Sequence, residues 1–179
     1  MKTKFSIIVI VIFISLNVYC QTNTDSARYY YNRAITEYNS KNFDNAINYC
    51  IKSRKFDCNA WNSEPAYLAG MIYFNLCDFK NALKYFTTAS SMYKARVMRG
   101  RCEYELGNYQ ESYYQLNLAI YEDRKNPYAF YYRGLVCIKM NDSDLSDLIY
   151  VASFKNEYTD NAKSILSKNK LSEKNLYIY

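Results

Sequence analysis

Apolar residues recur along the central part of the chain with the spacing of paired helices. In residues 79–91 they lie three and four positions apart, which places them on one face of an α-helix, at Ala82, Leu83, Phe86 and Ala89. The same spacing predicts four pairs of helices between residues 27 and 156. The predicted first helices are 27–40, 63–76, 94–106 and 127–140, and the predicted second helices are 43–55, 79–91, 109–122 and 143–156.

The predicted pairs repeat with a period close to 34 residues. A small residue recurs in the first helices at intervals of 36, 30 and 34 positions, at Ala34, Gly70, Gly100 and Gly134. Three columns in the second helices keep these intervals, at Phe43, Phe79, Tyr109 and Ser143, at Ala46, Ala82, Ser112 and Ser146, and at Ser53, Ala89, Ala119 and Ser153. Such a period predicts a stacked array of helix pairs. Larger residues are expected to fill the space between the pairs, at Cys50, Phe86, Leu116 and Tyr150.

A polar residue stands at each predicted corner, just before the second helix. Its side-chain oxygen is suited to accept from free backbone N–H groups as an N-cap, at Asn42, Asp78, Asn108 and Asp142. In the corner "LGNYQES" (106–112), Glu111 lies three residues after Asn108, as in a capping box. Gly107 permits the left-handed backbone that ends the preceding helix.

This order of small and aromatic positions resembles the tetratricopeptide repeat family over residues 27–156. The pattern is fullest in "YLAGMIYFNLCDFKNALKYFTTA" (67–89), at Gly70, Tyr73, Phe79, Ala82, Phe86 and Ala89. The fourth copy departs from it at Ser143, and the proline that often closes a repeat is missing at Cys58, Lys94 and Arg124. The resemblance implies an all-α, right-handed superhelix of about four tandem helix-turn-helix repeats, at 27–58, 63–92, 93–124 and 127–156.

The residues after the fourth pair predict a capping helix. Within 160–170, three apolar residues share one face among polar neighbours, at Ala162, Ile165 and Leu166. A helix with one polar face suits the solvated end that helical arrays require. Residues 157–179 are therefore assigned to a capping helix and a tail.

The first twenty residues predict a signal peptide of bacterial style. Two lysines precede a predominantly apolar run of twelve residues (5–16), which is shorter than the roughly 20 residues of a membrane span. Cleavage after Cys20 leaves a linker at 21–26 and a mature chain with 21 basic and 17 acidic residues, a net charge of +4. This chain has no expected transmembrane span and is expected in the periplasm or outside the cell. A lipid anchor on Cys20 is the alternative, although Tyr19 stands where such signals favour a small residue.

The composition argues against catalysis. None of the 179 residues is histidine, which excludes Ser–His–Asp, Cys–His and histidine-based zinc sites. The four glycines form no phosphate loop, and the acidic stretch 142–147 lacks the glycine and the distal glutamate of a calcium loop. We therefore expect a chain that is not an enzyme and needs no cofactor or metal. The net charge of +6 is too dispersed to predict nucleic-acid binding.

Five cysteines remain after cleavage, at Cys50, Cys58, Cys77, Cys102 and Cys137. Their simplest interpretation is that of small buried apolar side chains. Export leaves a second possibility open, a disulfide between Cys58 and Cys77. Because five is an odd number, at least one thiol has no partner within the chain.

The resemblance implies that the first helices line a groove that binds a protein or peptide. The implied groove residues are Tyr31, Ile35, Tyr38, Tyr67, Met71, Phe74, Lys94, Arg101, Tyr104, Tyr131, Leu135 and Ile138. The family's clamp for a C-terminal carboxylate is not expected, since Tyr31, Ile35 and Leu68 occupy its places.

Two cations on one helix face suggest the chemistry of the partner. Lys94 and Arg101 are seven residues apart and point the same way, so an acidic segment with apolar or aromatic residues is expected. Arg101 has an alternative partner in Glu105, and Arg99 is expected to pair with Glu103. The leading hypothesis is a non-catalytic interaction module or scaffold of the bacterial cell envelope. The alternative is a cell-wall or carbohydrate-binding protein whose tyrosine-rich groove stacks on sugar rings.

Overall fold

The computed structural model describes residues 23–56 and 63–176, with side chains up to residue 169 in the last helix. The predicted signal peptide, the lipid-anchor alternative at Cys20 and the possible partner Cys58 lie outside the described residues. In the described part, all regular secondary structure is helical, which confirms the all-α prediction. The helices are α1 (23–39), α2 (Phe43–Lys55), α3 (Glu64–Asn75), α4 (Phe79–Thr88), α5 (Tyr93–Glu105), α6 (Tyr109–Glu122), α7 (Pro127–Lys139), α8 (Ser146–Ser153) and α9 (Thr159–Leu176).

Helices adjacent in the chain pack against each other from α2 to α9, and α5 also contacts α7. Pairs α1–α2, α3–α4, α5–α6 and α7–α8 are the predicted repeats, and α9 covers the last of them. On α9, Ala162 is fully buried, and Ile165 and Leu166 pack against the same core. The predicted superhelical array with a helix at its C-terminal end is therefore confirmed.

The N-terminal helix is longer than predicted. Residues 23–26, which we assigned to a linker, are helical and belong to α1. Ala27 is buried, and its carbonyl accepts from the hydroxyl of Ser53 at 2.7 Å. This contact ties the first turns of α1 to the end of α2, so the helix extends beyond the predicted start.

A left-handed residue ends the first helix of every pair. Positive φ angles occur at Lys41 (62°), Cys77 (59°), Gly107 (80°) and Asn141 (58°), spaced at the repeat intervals. In each corner the next amide donates back into the preceding helix, as from Asp78 to Tyr73 at 2.9 Å. Sequence reasoning identified Gly107 alone, because glycine is the usual residue in this conformation.

Of the four predicted N-cap residues, only Asp78 caps its helix through the side chain. Asp78 accepts from the backbone N of Asn81 at 3.1 Å. The prediction is wrong for Asn42 and Asn108, which donate through Nδ2 to carboxylates five residues upstream, on Glu37 at 3.0 Å and on Glu103 at 2.8 Å. These bonds brace the corner across the left-handed residue instead of capping the next helix.

Two further polar predictions are wrong because the side chains have other partners. Glu111 makes no capping box, since its carboxylate accepts from Nε2 of Gln115 at 2.6 Å. Glu103 is buried and accepts from Asn108, and no ion pair with Arg99 occurs among the described residues.

The second helix of the fourth pair begins three residues later than predicted, at Ser146. Asp142 accepts from the backbone N of Asp144 at 3.0 Å, and Asp144 accepts from that of Ser146 at 2.9 Å. These two turns occupy the residues that we assigned to the first turn of the helix. Asp142 is therefore a turn residue, and its prediction as the N-cap is wrong.

The small residues of the first helices lie against large residues of the second. A Cβ added to Gly70 would lie 2.7 Å from Cδ1 of Phe86, and one added to Gly100 would lie 2.6 Å from Cγ of Leu116. Both large side chains are fully buried, as predicted. At such distances the crossing tolerates no side chain on the glycine unless the neighbour moves.

In the fourth pair the facing residue differs from the prediction. Gly134 faces Leu148, whose Cγ would lie 2.8 Å from an added Cβ. Leu148 and Val151 are fully buried, whereas the predicted Tyr150 is partly exposed and the predicted Ser153 is exposed. Because α8 starts late, its buried residues lie two positions earlier than the repeat interval predicts, at Leu148 and Val151 instead of Tyr150 and Ser153.

The described cysteines differ in exposure. Cys50, Cys102 and Cys137 are buried, and Cys77 is exposed. Burial raises the pKa of the Cys50 and Cys102 thiols to about 12. At neutral pH these two side chains are therefore neutral core residues with little thiolate.

We predict that Gly100→Ala destabilises the array by roughly 1–3 kcal/mol, because the methyl group overpacks the crossing with Leu116. The penalty should shrink in a Leu116→Ala background, since the side chain that opposes the methyl group is then absent. Chemical denaturation of the wild type, both single variants and the double variant measures the coupling. Additive losses would show that Gly100 and Leu116 do not meet at a crossing.

We also predict selective alkylation in the fully reduced, folded protein at pH 8. Iodoacetamide should modify Cys77 readily and leave Cys50 and Cys102 unmodified, because these two thiols are buried and their pKa values lie well above the reaction pH. Peptide mass spectrometry reports each site, and the unfolded protein in denaturant provides the control. Equal labelling of Cys50 and Cys77 before unfolding would contradict the described core.

Candidate functional site

A pocket of about 410 Å³ lies where the first helices of the second, third and fourth pairs meet the turn before α9. We call it the groove pocket. Its walls come from α3, α5 and α7, and the α8–α9 turn closes one side. It is lined by Tyr67, Met71, Phe74, Asn75, Tyr93, Lys94, Val97, Met98, Arg101, Asn126, Tyr128, Glu157 and Tyr158.

The groove pocket contains five of the twelve residues that the sequence assigned to the groove. These are Tyr67, Met71, Phe74, Lys94 and Arg101. They come from two different repeats, and the structure brings them together around one cavity. Phe74 is itself buried, so it exposes little of its ring to the cavity.

The other seven predicted groove residues lie outside this pocket. Tyr31 and Tyr38 on α1 are half-buried, Ile35 is exposed, and Tyr38 packs against Phe43 with ring centroids 6.0 Å apart. In the third and fourth pairs the remaining residues pack into the core below α9, at Tyr104, Tyr131, Leu135 and Ile138.

Sequence reasoning missed the wall formed by Tyr128 and Tyr158. Tyr158 stacks on Tyr131 with centroids 4.9 Å apart and meets Tyr128 edge-on at 5.4 Å. Its position depends on Asn156, whose Oδ1 accepts from the backbone N of Tyr158 at 2.8 Å and whose Nδ2 donates to the carbonyl of Val151 at 3.0 Å. Tyr158 lies beyond the last repeat, so no repeat position identified it.

Asn126 fixes the start of α7 and with it the position of Tyr128. Its Oδ1 accepts from the backbone N of Tyr128 at 3.0 Å and of Ala129 at 3.2 Å, which makes it a true N-cap. Its Nδ2 donates to the hydroxyl of Tyr93 on α5. The cap therefore joins two walls of the groove pocket. An Asn–Pro pair at 126–127 is a helix-start signal that could have identified this cap.

Arg101 lies among aromatic rings at the floor of the groove pocket. Its guanidinium carbon is 4.4 Å from the centroid of Phe74, 4.9 Å from that of Tyr132 and 5.6 Å from that of Tyr128. Nη1 donates to the hydroxyl of Tyr128 at 2.5 Å. Nε lies 4.0 Å from the carboxylate of Glu105, so the alternative ion pair is present at long range.

Lys94 has a different environment, although it lies two turns earlier on the same helix. Its side chain is exposed at the rim of the groove pocket. Within the described residues, no carboxylate lies within 4.0 Å of its ammonium group. Two arginines elsewhere in the array are paired at short range, Arg96 with Glu122 and Arg133 with both oxygens of Asp147 at 2.7 and 2.8 Å.

The tyrosines of the groove pocket are neutral hydrogen-bonding groups. Burial raises the pKa of Tyr67 and of Tyr128 above the ordinary value. Both phenols therefore keep their protons at neutral pH. The pocket thus combines apolar walls and neutral hydroxyls with the ammonium of Lys94 and the carboxylate of Glu157.

Among the described helices, none has the length and apolar character needed to cross a membrane. No model of a known protein family matches the chain, and no curated protein matches it.

Solved structures resemble the chain over most of its length. A tetratricopeptide repeat protein from Parabacteroides merdae superposes with a TM-score of 0.70 at 18% identity, over 83% of this chain and 61% of that one. YrrB, described as a TPR protein with an unusual peptide-binding site, superposes with a TM-score of 0.63 at 20% identity. The match covers 74% of this chain and 71% of YrrB. The first TPR of Spaghetti (RPAP3), bound to the HSP90 peptide SRMEEVD, superposes with a TM-score of 0.60 at 18% identity. The match covers 66% of this chain and 96% of that domain.

The chain has the tetratricopeptide repeat fold. In this TPR array the groove pocket lies on the side of the first helices α3, α5 and α7. Leu68 and Ile35 occupy two positions that hold the carboxylate clamp in the TPR family. Leu68 packs into the core between the first two repeats, and Ile35 is exposed on α1 outside the pocket. The pocket is therefore built from different residues than that clamp.

Proposed function

We propose that this TPR chain is a non-catalytic protein-interaction module that binds an extended segment of a partner protein in the groove pocket. The observation that carries the proposal is the ammonium of Lys94, which has no ion-pair partner in the described part of the chain and lies at the rim of a cavity with aromatic and apolar walls. Similar TPR structures support it, because one is described with a peptide-binding site and another is bound to a peptide.

The chemistry of the walls defines the partner segment that we propose. Lys94 favours a carboxylate on the ligand, since an exposed ammonium without a partner gains attraction at little desolvation cost. Tyr67, Met71 and Tyr128 favour an apolar or aromatic side chain next to that carboxylate. A volume of about 410 Å³ suits one or two side chains of a longer segment. The proposed ligand is therefore an acidic segment with an aromatic or long apolar residue.

We further propose that the protein acts in the bacterial cell envelope, after removal of residues 1–20. The lysines and the apolar run of that segment support this location. An exported module of this size is suited to hold together components of a larger assembly.

Reversing the charge of Lys94 should weaken binding of an acidic peptide selected against residues 21–179 from a random phage library. We expect a loss of roughly fivefold to thirtyfold, because an attraction of about 0.5–1 kcal/mol is replaced by a repulsion of similar size. Isothermal titration calorimetry of Lys94→Glu measures the loss, and binding by the wild type should weaken as salt rises.

Lys84→Glu is the matched control, since Lys84 is exposed on α4 and does not line the groove pocket. It should bind like the wild type. Equal binding by folded Lys94→Glu would move the site away from the groove pocket. Failure to select any peptide, together with retention on insoluble wall polysaccharide, would favour the carbohydrate-binding alternative.

The proposed export has its own test. In the envelope or medium fraction of a bacterial host, intact-mass analysis should give a chain that begins at Gln21. A mass that includes acyl chains on Cys20 would show an anchored lipoprotein instead. A full-length chain confined to the cytoplasm would contradict the export proposal and leave the binding proposal intact.

A further inference from the structure

The two cations of the groove pocket have opposite environments, although both line the cavity. Lys94 is exposed and unpaired within the described residues. The Arg101 side chain is 28% exposed, its planar head lies against three rings, and one of its nitrogens is bonded to Tyr128. Equal roles for the two in ligand binding are therefore not expected.

Arg101 connects two aromatic clusters that belong to different repeats. On one side, Phe74 from α3 packs against Phe79 from α4 with centroids 5.2 Å apart. On the other side, Tyr128 and Tyr132 from α7 lie 4.7 Å apart, and Tyr158 joins them. The guanidinium on α5 contacts both clusters. Met98 on the same helix packs in the cluster of Phe74, and its Sδ accepts from the hydroxyl of Tyr128 at 3.6 Å.

A guanidinium is suited to this bridging role. It is planar, so its face stacks on a ring while its edge donates hydrogen bonds, and it stays charged at any ordinary pH. Phe74 and Tyr128 both line the groove pocket, from different repeats. The separation of these two walls therefore depends on the side chain that lies between them.

We propose that Arg101 is a positioning residue of the groove pocket, which fixes the separation of the Phe74 and Tyr128 walls without contacting the carboxylate of the bound segment. This inference rests on the proposed function, in which the pocket binds a peptide. The two cations then have different roles. Lys94 contacts the charge of the ligand, and Arg101 maintains the shape of the cavity that receives the apolar side chain.

The test compares a matched pair of probes. The first is an acidic peptide selected from the random phage library, and the second is its twin with every Glu and Asp changed to Gln and Asn. Calorimetry gives the dissociation constant and the binding stoichiometry for each. Arg101→Met should raise the dissociation constant for both twins by the same factor, at least about threefold, at unchanged stoichiometry. Lys94→Met should weaken binding of the acidic twin alone.

Three results would overturn the proposal. A loss confined to the acidic twin in Arg101→Met would make Arg101 a contact residue for the carboxylate. Unchanged binding of both twins would show that the wall separation does not depend on it. Reduced stoichiometry at an unchanged dissociation constant would show a merely structural effect, in which fewer molecules are folded.

Tyr128→Phe keeps the proposal testable should Arg101→Met fail to fold. It keeps the ring and removes the hydroxyl, which accepts from Arg101 and donates to Sδ of Met98 at 3.6 Å. It should weaken both twins by one common factor. A loss for one twin only, or none for either, would contradict the positioning role.

A measurement without ligand separates this inference from the proposed function. If the library gives no peptide, the proposed function fails, and the bridge is still testable through thermal unfolding midpoints. The double variant Arg101→Met, Tyr128→Phe should shift the midpoint by less than the sum of the two single shifts, since each single variant already loses the bond between the two side chains. Additive shifts would overturn the bridging contact itself.

Discussion

The array depends on the close approach of a glycine in one helix to a large side chain in the next. At Gly70, Gly100 and Gly134 an added Cβ would lie only 2.6–2.8 Å from the nearest side-chain atom, on Phe86, Leu116 and Leu148. Protein interiors are packed too densely to absorb such an overlap without movement. These crossings set the distance between the two helices of a pair. The spacing of successive first helices follows from the packing of one pair on the next, as where α5 contacts α7.

The groove pocket follows from that spacing. Three first helices bring aromatic side chains to one surface, and the spaces between them are filled by contacts between repeats. Arg101 makes such contacts, because its guanidinium lies against rings of both neighbouring repeats. Lys94 lies at the rim, where no contact with the described carboxylates neutralises it. In the site that we propose, one cation supports the walls, and the other, unpaired among the described residues, is available to a ligand.

The repeat architecture could be predicted from the sequence because packing imposes a period on the small and large residues. The prediction failed where local hydrogen bonds compete with that period. In the fourth pair, two aspartate turns delay α8 and shift its buried face, so Leu148 replaces Tyr150 at the crossing. A count of intervals cannot detect this shift, since the turn residues resemble the caps of the other corners.

The candidate site was predictable only in part, for a related reason. Residues such as Tyr67 and Lys94 occupy repeat positions that face the groove, so the resemblance identified them. Tyr158 lies outside the repeats, and its place depends on the bonds made by Asn156. The environment of Arg101 depends on three rings from distant parts of the chain. Such contacts between repeats are visible only in three dimensions.

The central claim is that the surface of the first helices binds the partner segment. The most direct test is to measure which backbone amide chemical shifts change when a selected acidic peptide is titrated into the protein. The largest changes in a nitrogen–proton correlation spectrum should fall on α3, α5, the start of α7 and the turn at Tyr158. Amides of α4 and α6 remote from the pocket should change little. The largest changes on those second helices, with none around Lys94 and Tyr128, would contradict this account.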